Sequence, residues 1–277
     1  MFGRVSPSQK ILIIRTLQET GHHVAMIGDG INDVLSITRA DQGIALGEGS
    51  HASKAVAGLV LANSDFALLP ETLEESRIIV RNLRCSCKMF LVKNVYSFLM
   101  IVVLFPGLLG LHYPFLPQQV TLLNFLSIGL PALVVAFSRG QSSGGSRMPY
   151  FPEVGWFVLR TGALFAGAGL LLLWLSVHAW GENLETQRTL LLSALILLGL
   201  TGMIRASTDG ESRPRVAEVK FYVLPLVCVS LYLEVMYWPP SADFFRLTSL
   251  SSWQWILIAG VVMPVYALSL LTDRIHR

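Results

Sequence analysis

Long apolar runs constrain the fold of residues 88–277 more than any other feature of this sequence. A helix that crosses a bilayer needs about 20 predominantly apolar residues, because its backbone polar groups can be satisfied only within the helix itself. Runs of this kind lie near residues 88–110, 116–138, 156–180, 188–204, 219–238 and 253–271. We therefore expect an all-α transmembrane bundle of six helices.

Charged residues distinguish the first 87 positions from the rest. Only 14% of the chain is charged, against about 25% in typical soluble domains, and these residues are frequent in 1–87. We predict a polar domain with its stalk over 1–87 and a membrane domain over 88–277. No Gly or Pro occurs between Pro70 and Pro106, so a single helix should connect the two domains. The net charge of +3 gives no nucleic-acid signal.

The basic residues between the apolar runs and at their ends predict the orientation of the bundle. Cytoplasmic loops of membrane proteins carry an excess of Lys and Arg. With the polar domain inside, the outer loops hold only Arg188 and Arg246, and the inner loops and tail hold Arg139, Arg147, Arg205, Arg213, Arg215, Lys220, Arg274 and Arg277. We expect a multi-pass protein of the plasma (inner) membrane, with its N-terminal domain and its C-terminus in the cytoplasm.

Apolar runs and helical patterns alternate through the polar domain. "PSQKILIIRTLQETG" predicts a helix that begins at Pro7 and ends at Gly21, and "HHVAMIG", "QGIAL" and "GLVLA" predict strands with short helices between them. This alternation is typical of an α/β unit with a parallel sheet. Three strands make only part of a sheet, so we expect a partial Rossmann-type fold.

Two aspartates lie close together after the first predicted strand. Asp29 follows the strand by one residue, and Asp33 lies in the first turn of the next helix. Ligands of open α/β sheets bind beyond the carboxyl ends of the strands. Neighbouring carboxylates repel each other unless a cation or a proton intervenes, and Mg²⁺ prefers oxygen ligands. Alternatively, residues 28–30 form only a turn, and Asn32 and Asp33 only a helix cap.

Two motifs here match a known family in order and spacing. G-D-G-x-N-D occupies residues 28–33, and P-x-x-K precedes it from Pro7 to Lys10. Residues 4–84 resemble the C-terminal part of the phosphorylation domain of P-type cation-transporting ATPases, which have the haloacid dehalogenase fold. The resemblance extends over essentially the whole chain. It implies the rear part of an enzyme that couples ATP hydrolysis to cation translocation and that requires Mg²⁺.

The resemblance also implies roles for individual residues. Asp29 would be a Mg²⁺ ligand, and Asp33 and Asn32 would order the metal, its waters and the phosphoryl site. Lys10 would help to neutralise a phosphorylated aspartate, as phosphoryl transfer demands. The catalytic positions are Lys10, Asp29, Asn32 and Asp33, the metal ligands are Asp29 and Asp33, and the cofactor-binding glycines are Gly28 and Gly30.

The family's nucleophile motif, D-K-T-G-T, does not occur in this sequence, and neither does T-G-E-S. We therefore expect this chain to hydrolyse no ATP alone and to function with the missing N-terminal portion of the pump. Two alternatives remain open. One is a non-catalytic membrane subunit or scaffold that pairs with a separately encoded front half. The other is a membrane-anchored phosphatase of the same superfamily.

Polar groups in the second apolar run predict an ion pathway. Pro131 should free a backbone carbonyl one turn earlier, near Ser127, and Asn124 adds a side-chain oxygen. Asn94, in the first run, is a further candidate. Many members of the family have an aspartate where this chain has Ile128, so the transported inorganic cation cannot be identified from the sequence.

Overall fold

Two compact units make up the chain, Met1–Glu75 and Ser76–Arg277. A computed structural model describes residues 5–105, 115–137, 150–208 and 219–275. The division between the units falls inside a long helix, 12 residues before the predicted start of the membrane domain at 88. That predicted boundary stays a prediction.

The first unit is a parallel sheet with helices between its strands, as predicted. Its three strands are adjacent in chain order and all parallel. A short 3₁₀ turn, Ile31–Asp33, precedes the second helix. The elements are α1 (Pro7–Glu19), β1 (Ala25–Gly28), α2 (Val34–Arg39), β2 (Gln42–Leu46), α3 (His51–Val56) and β3 (Leu59–Leu61).

A capping box determines where α1 begins. The Ser6 hydroxyl accepts a hydrogen bond from the Gln9 backbone N–H at 3.4 Å, and the Ser6 N–H donates to Gln9 Oε1 at 2.9 Å. Pro7 occupies the first turn, where its missing N–H costs nothing. The helix ends before Gly21, whose φ of +83° suits glycine. These signals hold Lys10 near the start of the helix.

The described part of the second unit consists mainly of helices, five of which have 19 residues or more. The first of them, α4, runs unbroken from Leu68 through 37 residues, which confirms the predicted single helix. A π-helical segment, Phe125–Gly129, lies between α5 and α6. The helices are α4 (Leu68–Leu104), α5 (Pro117–Asn124), α6 (Leu130–Ala136), α7 (Tyr150–His178), α8 (Leu184–Thr208), α9 (Val219–Tyr237), α10 (Pro239–Phe245) and α11 (Ser252–Ile275).

Among the described residues, five stretches of helix are long and apolar enough to cross a membrane. A sixth span exists only if α9 and α10 are counted together, and they are bent by 91°. The span predicted over 219–238 ends at this bend, and the sequence did not predict α10 beyond it. The cause of the bend is local: Trp238 precedes Pro239, a position that disfavours helical geometry, and its φ and ψ are −84° and 115°. Residues 106–110 of the first predicted span and residue 138 of the second lie outside the described residues.

Helix α8 forms the centre of the second unit. In its most apolar window, 78% of the residues are buried, against 17% for α11. It contacts α7, α9, α11 and the π-helical segment. Several hydroxyl groups on α8 are paired within the bundle; for example, the Ser193 hydroxyl lies 2.7 Å from the Tyr232 hydroxyl. Buried polar groups of this kind need such partners.

One carboxylate joins three helices of this unit. Asp273 on α11 accepts hydrogen bonds from Arg205 on α8, with its Nε at 2.8 Å and its Nη2 at 2.9 Å. Arg160 on α7 also forms an ion pair with Asp273. The Arg205 side chain is 2% exposed, so its charge has little access to solvent. Asp273 therefore neutralises charge that would otherwise be costly to bury.

We expect Asp273→Asn to lower the free energy of unfolding of the purified chain by about 3 kcal/mol, because it removes the carboxylate that two neighbouring guanidinium groups share. Glu185→Gln is the control, since it also removes a carboxylate but from an exposed position on α8. Unfolding can be followed by circular dichroism during a denaturing detergent titration. Equal midpoints for the two variants would show that the ion pairs do not stabilise the bundle.

Candidate functional site

The first candidate site lies where β1 ends. Gly28 is the last residue of the strand, and Asp29 follows it in a tight turn. The Asp29 backbone carbonyl accepts hydrogen bonds from the Ser50 N–H at 2.7 Å and the Ser53 hydroxyl at 3.1 Å. These bonds attach the turn to the start of α3. The side chains of Asp29 and Asn32 are exposed at this edge of the sheet.

An ion pair connects two residues that the sequence assigned to the site. Lys10 Nζ lies 2.6 Å from Asp33 Oδ1, and the two side chains are 34% and 11% exposed. The structure therefore brings Lys10 from α1 against the start of α2. Sequence reasoning expected both residues here but not this contact, because the residues are 23 positions apart. The Lys10 ammonium thus supplies part of the positive charge that offsets the repulsion between the two aspartates.

Gly28 leaves room for this ion pair. A Cβ atom at Gly28 would lie 2.5 Å from the Asp33 Cβ and 2.9 Å from its Oδ2. These separations are shorter than any normal contact. At Gly30, the other glycine of the turn, a Cβ would meet nothing closer than 3.9 Å. The first glycine of the motif is therefore required by packing against Asp33, and the second is not.

The residues of this turn fit Mg²⁺ by the chemistry of their donors. Asp29, Asn32 and Asp33 offer only oxygen ligands besides the Asn32 amide nitrogen, and Mg²⁺ prefers oxygen. Among the described residues, no group of three or more His, Cys, Asp or Glu side chains could hold a metal ion. A metal bound here would have to complete its shell with water and phosphate oxygens, as Mg²⁺ commonly does.

The second candidate site is the π-helical segment of the second unit. The Leu130 N–H donates to the Phe125 carbonyl, five residues earlier, which widens the helix by one residue. Pro131, which is buried, has no N–H to continue the ladder. The sequence indicated a break before Pro131 but did not predict its form. Such π-helical turns are frequent at functional sites.

The polar groups around this segment differ in their hydrogen bonding. The Ser127 hydroxyl is buried and donates to the Leu123 carbonyl at 2.6 Å. Asn124 Oδ1 is buried and accepts no hydrogen bond from the described residues. An unpaired buried oxygen is costly. Asn124 therefore has an oxygen that is free to contact a ligand, whereas the Ser127 hydroxyl proton is already donated to the Leu123 carbonyl.

A small cavity adjoins Ser127. Its volume is about 20 Å³, and residues of α4, α7, α8 and the π-helical segment line it, including Tyr96, Ser127 and Ile128. That volume is close to what one water molecule requires. Helix α8 can approach closely here because Gly199 has no Cβ atom. A Cβ at that position would lie 2.7 Å from the Ser127 Cβ. Asn94, the remaining candidate, is exposed on α4 and does not line the cavity.

We expect Gly28→Ala to destabilise the first unit by about 1–3 kcal/mol, because the added methyl group displaces Asp33. Gly30→Ala is the matched control, since it alters the same turn but its added methyl group would meet nothing closer than 3.9 Å. The measurement is the temperature at which trypsin begins to cut residues 5–75 of the purified chain. If both variants are cut at the same temperature, a methyl group at residue 28 does not clash with Asp33, and the close contact is refuted.

Comparison with known proteins identifies relatives of this chain. Residues 112–275 match the family described as "Cation transporting ATPase, C-terminus". Over 99% of its length, the chain is 33% identical to a calcium-transporting ATPase of Bacillus subtilis (strain 168), of which it covers 32%. Half of the chain is 46% identical to the probable cation-transporting ATPase exp7 of Streptococcus pneumoniae, covering 19% of it.

A third relative is the calcium-transporting ATPase CtpE of Mycobacterium tuberculosis, which is 43% identical over 50% of the chain and of which the chain covers 18%. The chain thus spans about a third or less of the length of these relatives. The family match extends over more than half of the chain and includes α5 to α11 with the π-helical segment. The chain therefore belongs to the P-type cation-transporting ATPases and contains their C-terminal portion.

Proposed function

We propose that the chain is the rear part of an ATP-driven cation pump, in which it contributes the G-D-G-x-N-D motif and part of the ion pathway. The observation that carries the proposal is the Lys10–Asp33 ion pair beside the exposed Asp29, at the carboxyl edge of a parallel sheet. Phosphoryl groups are bound at such edges. Membership of the cation-transporting family supports the same assignment.

In the proposed mechanism, each residue of the first site has a distinct electrostatic task. Asp29 and Asp33 would hold Mg²⁺, with Asn32 ordering its waters, and the metal would supply positive charge to the phosphoryl group during transfer. Lys10 would add a second positive charge toward the same group. Asp33 Oδ1 holds the Lys10 ammonium in place at 2.6 Å, so the lysine needs no rearrangement before it acts.

The missing nucleophile would come from the front portion of the pump, which is the proposed partner of this chain. We place the assembled pump in the plasma (inner) membrane, with the first unit and the C-terminus in the cytoplasm. The excess of basic residues in the predicted inner loops supports this orientation. Two relatives are named as calcium-transporting ATPases, so Ca²⁺ is the first cation to test.

For the ion pathway, we propose Asn124, Ser127 and Pro131 as the groups that contact the cation, with Asn94 as an outlying candidate. The π-helical segment and the unpaired Asn124 Oδ1 support this choice. These groups carry no negative charge. Since a divalent ion is bound weakly by neutral oxygens alone, carboxylates from the front portion would have to complete the site.

In the complete pump, Asp29→Asn is expected to reduce Mg²⁺-dependent phosphorylation from ATP roughly a hundredfold or more, because a lost metal ligand removes several kcal/mol of transition-state stabilisation. Glu19→Gln is the control, since Glu19 is an exposed acid at the far end of α1. Phosphoenzyme is measured with labelled ATP across a Mg²⁺ titration. Unchanged phosphoenzyme in Asp29→Asn would refute the metal assignment.

A separate experiment tests the phosphatase alternative. Phosphate release by the purified 277-residue chain alone would favour that alternative.

Asn124→Ala should lower the apparent affinity of the pump for its cation roughly tenfold, with phosphorylation still possible at saturating cation. Because Asn124 Oδ1 has no hydrogen bond to lose, the variant should unfold no more easily than wild type. Thr121→Ala is the control, since the exposed Thr121 hydroxyl bonds only to the Pro117 carbonyl in the described chain. An unchanged cation dependence in Asn124→Ala would make that residue a packing residue.

A further inference from the structure

Helix α9 has a buried side and an exposed side. The buried side chains recur every four residues, as Cys228, Tyr232 and Met236, and are at most 2% exposed. The exposed side chains follow the other side of the helix at spacings of three and four residues, and along it they change from apolar to acidic and aromatic. They are Val223, Val227, Leu231, Glu234 and Trp238. Because α9 belongs to a candidate membrane span, we expect this exposed side to face lipid.

The Glu234 carboxylate has no partner in the described part of the chain. Its side chain is exposed, and it forms neither a hydrogen bond nor an ion pair there. Acidic side chains within membrane spans usually face the interior of the bundle and pair with other groups. Glu234 does neither, so a group that balances its charge has to come from outside the described chain.

Two aromatic rings lie beside this carboxylate. Tyr237 and Trp238 follow Glu234 by three and four residues, a spacing that makes side chains neighbours on a helix. The three residues line a recess of about 380 Å³. The Tyr237 hydroxyl donates to the Leu250 carbonyl at 3.3 Å and accepts from Trp255 Nε1 at 3.4 Å, which fixes its ring. A carboxylate together with aromatic rings favours an organic cation, because both attract positive charge.

The recess lies where a span gives way to lipid headgroups. It is formed by the last turn of α9 and by Trp238, after which α10 departs at 91°. A helix that turns by a right angle at the end of a span runs near the plane of the membrane. Trp and Tyr are enriched at this level of membrane proteins. Beneath the recess, the apolar part of the exposed side extends from Val223 to Leu231, which is about 12 Å along the helix.

We propose that the recess binds the headgroup of phosphatidylethanolamine and that an acyl chain of this lipid packs along the apolar part of α9. The primary ammonium group has three N–H bonds, so it can donate charge-assisted hydrogen bonds to Glu234 while it contacts the two rings. The trimethylammonium group of phosphatidylcholine has no N–H to donate, and phosphatidylglycerol has no cation. In the proposed orientation this lipid belongs to the outer leaflet. The inference does not depend on the proposed ion pathway.

The test uses the full 277-residue chain purified in mild detergent. The chain is titrated with each of the three lipids, all with the same acyl chains, and bound lipid is counted by native mass spectrometry. Wild type should bind phosphatidylethanolamine about fivefold more tightly than phosphatidylcholine. Glu234→Gln should bind phosphatidylethanolamine about tenfold more weakly than wild type and phosphatidylglycerol no more weakly. Glu185→Gln is the matched control, since it removes an exposed acid from the first turn of α8 and should change each affinity less than about twofold.

A second variant tests the aromatic part of the recess. Trp238→Leu keeps an apolar side chain but removes the ring, so it should weaken phosphatidylethanolamine binding about threefold. Thermal unfolding followed by circular dichroism checks the fold of every variant. Because the Glu234 side chain has no hydrogen bond to lose in the described chain, Glu234→Gln should unfold at the same temperature as wild type.

Three results would overturn the inference. The first is equal affinity of wild type for phosphatidylethanolamine and phosphatidylcholine, which would mean that Glu234 is only hydrated. The second is unchanged phosphatidylethanolamine binding in Glu234→Gln. The third is an equal loss in Glu234→Gln and Glu185→Gln, which would indicate an effect of net charge. If Glu234→Gln fails to fold, Trp238→Leu decides, and unchanged binding in that variant would also refute the site.

Discussion

A lipid environment requires every backbone N–H and C=O to be satisfied within the protein, and the second unit is built around that requirement. Its described residues are almost entirely helical. The π-helical segment Phe125–Gly129 departs from α-helical geometry, but protein surrounds it. Leu126 and Ser127 are buried there, and α8 packs closely through Gly199. An irregular helix is tolerated where protein surrounds it. The close contact with α8 thus keeps this irregular turn inside the protein.

Both units use basic side chains to hold a carboxylate, but with different consequences. In the first unit, Lys10 is 34% exposed and Asp33 retains a second oxygen, so the pair can still respond to a ligand. In the second, Arg205 is 2% exposed and contacts Asp273 through two nitrogens. That pair is a structural link between helices, since separating it would leave a buried charge without compensation.

Sequence reasoning succeeded where the signal was local. The strands were recognisable as apolar runs bounded by glycine, and α1 by its Pro7 start. It succeeded less where the outcome depended on distant residues or on two competing local preferences. The ion pair of Asp273 joins positions 68 and 113 residues apart, and no periodicity encodes such a contact. The bend after α9 follows from Pro239, which ends one helix and begins the next, and the sequence predicted only the first of these two helices, over 219–238.

The position of Asp273 near the end of the chain has a consequence for biosynthesis. Arg160 and Arg205 precede it by 113 and 68 residues, so both leave the ribosome before their carboxylate exists. At about 5–20 residues per second, the delay after Arg205 is roughly 3–14 seconds. During that time the basic groups on α7 and α8 lack the ion pairs that Asp273 later forms with them. A nascent protein interrupted before its last helix would therefore retain a charged surface that insertion chaperones or membrane proteases could recognise.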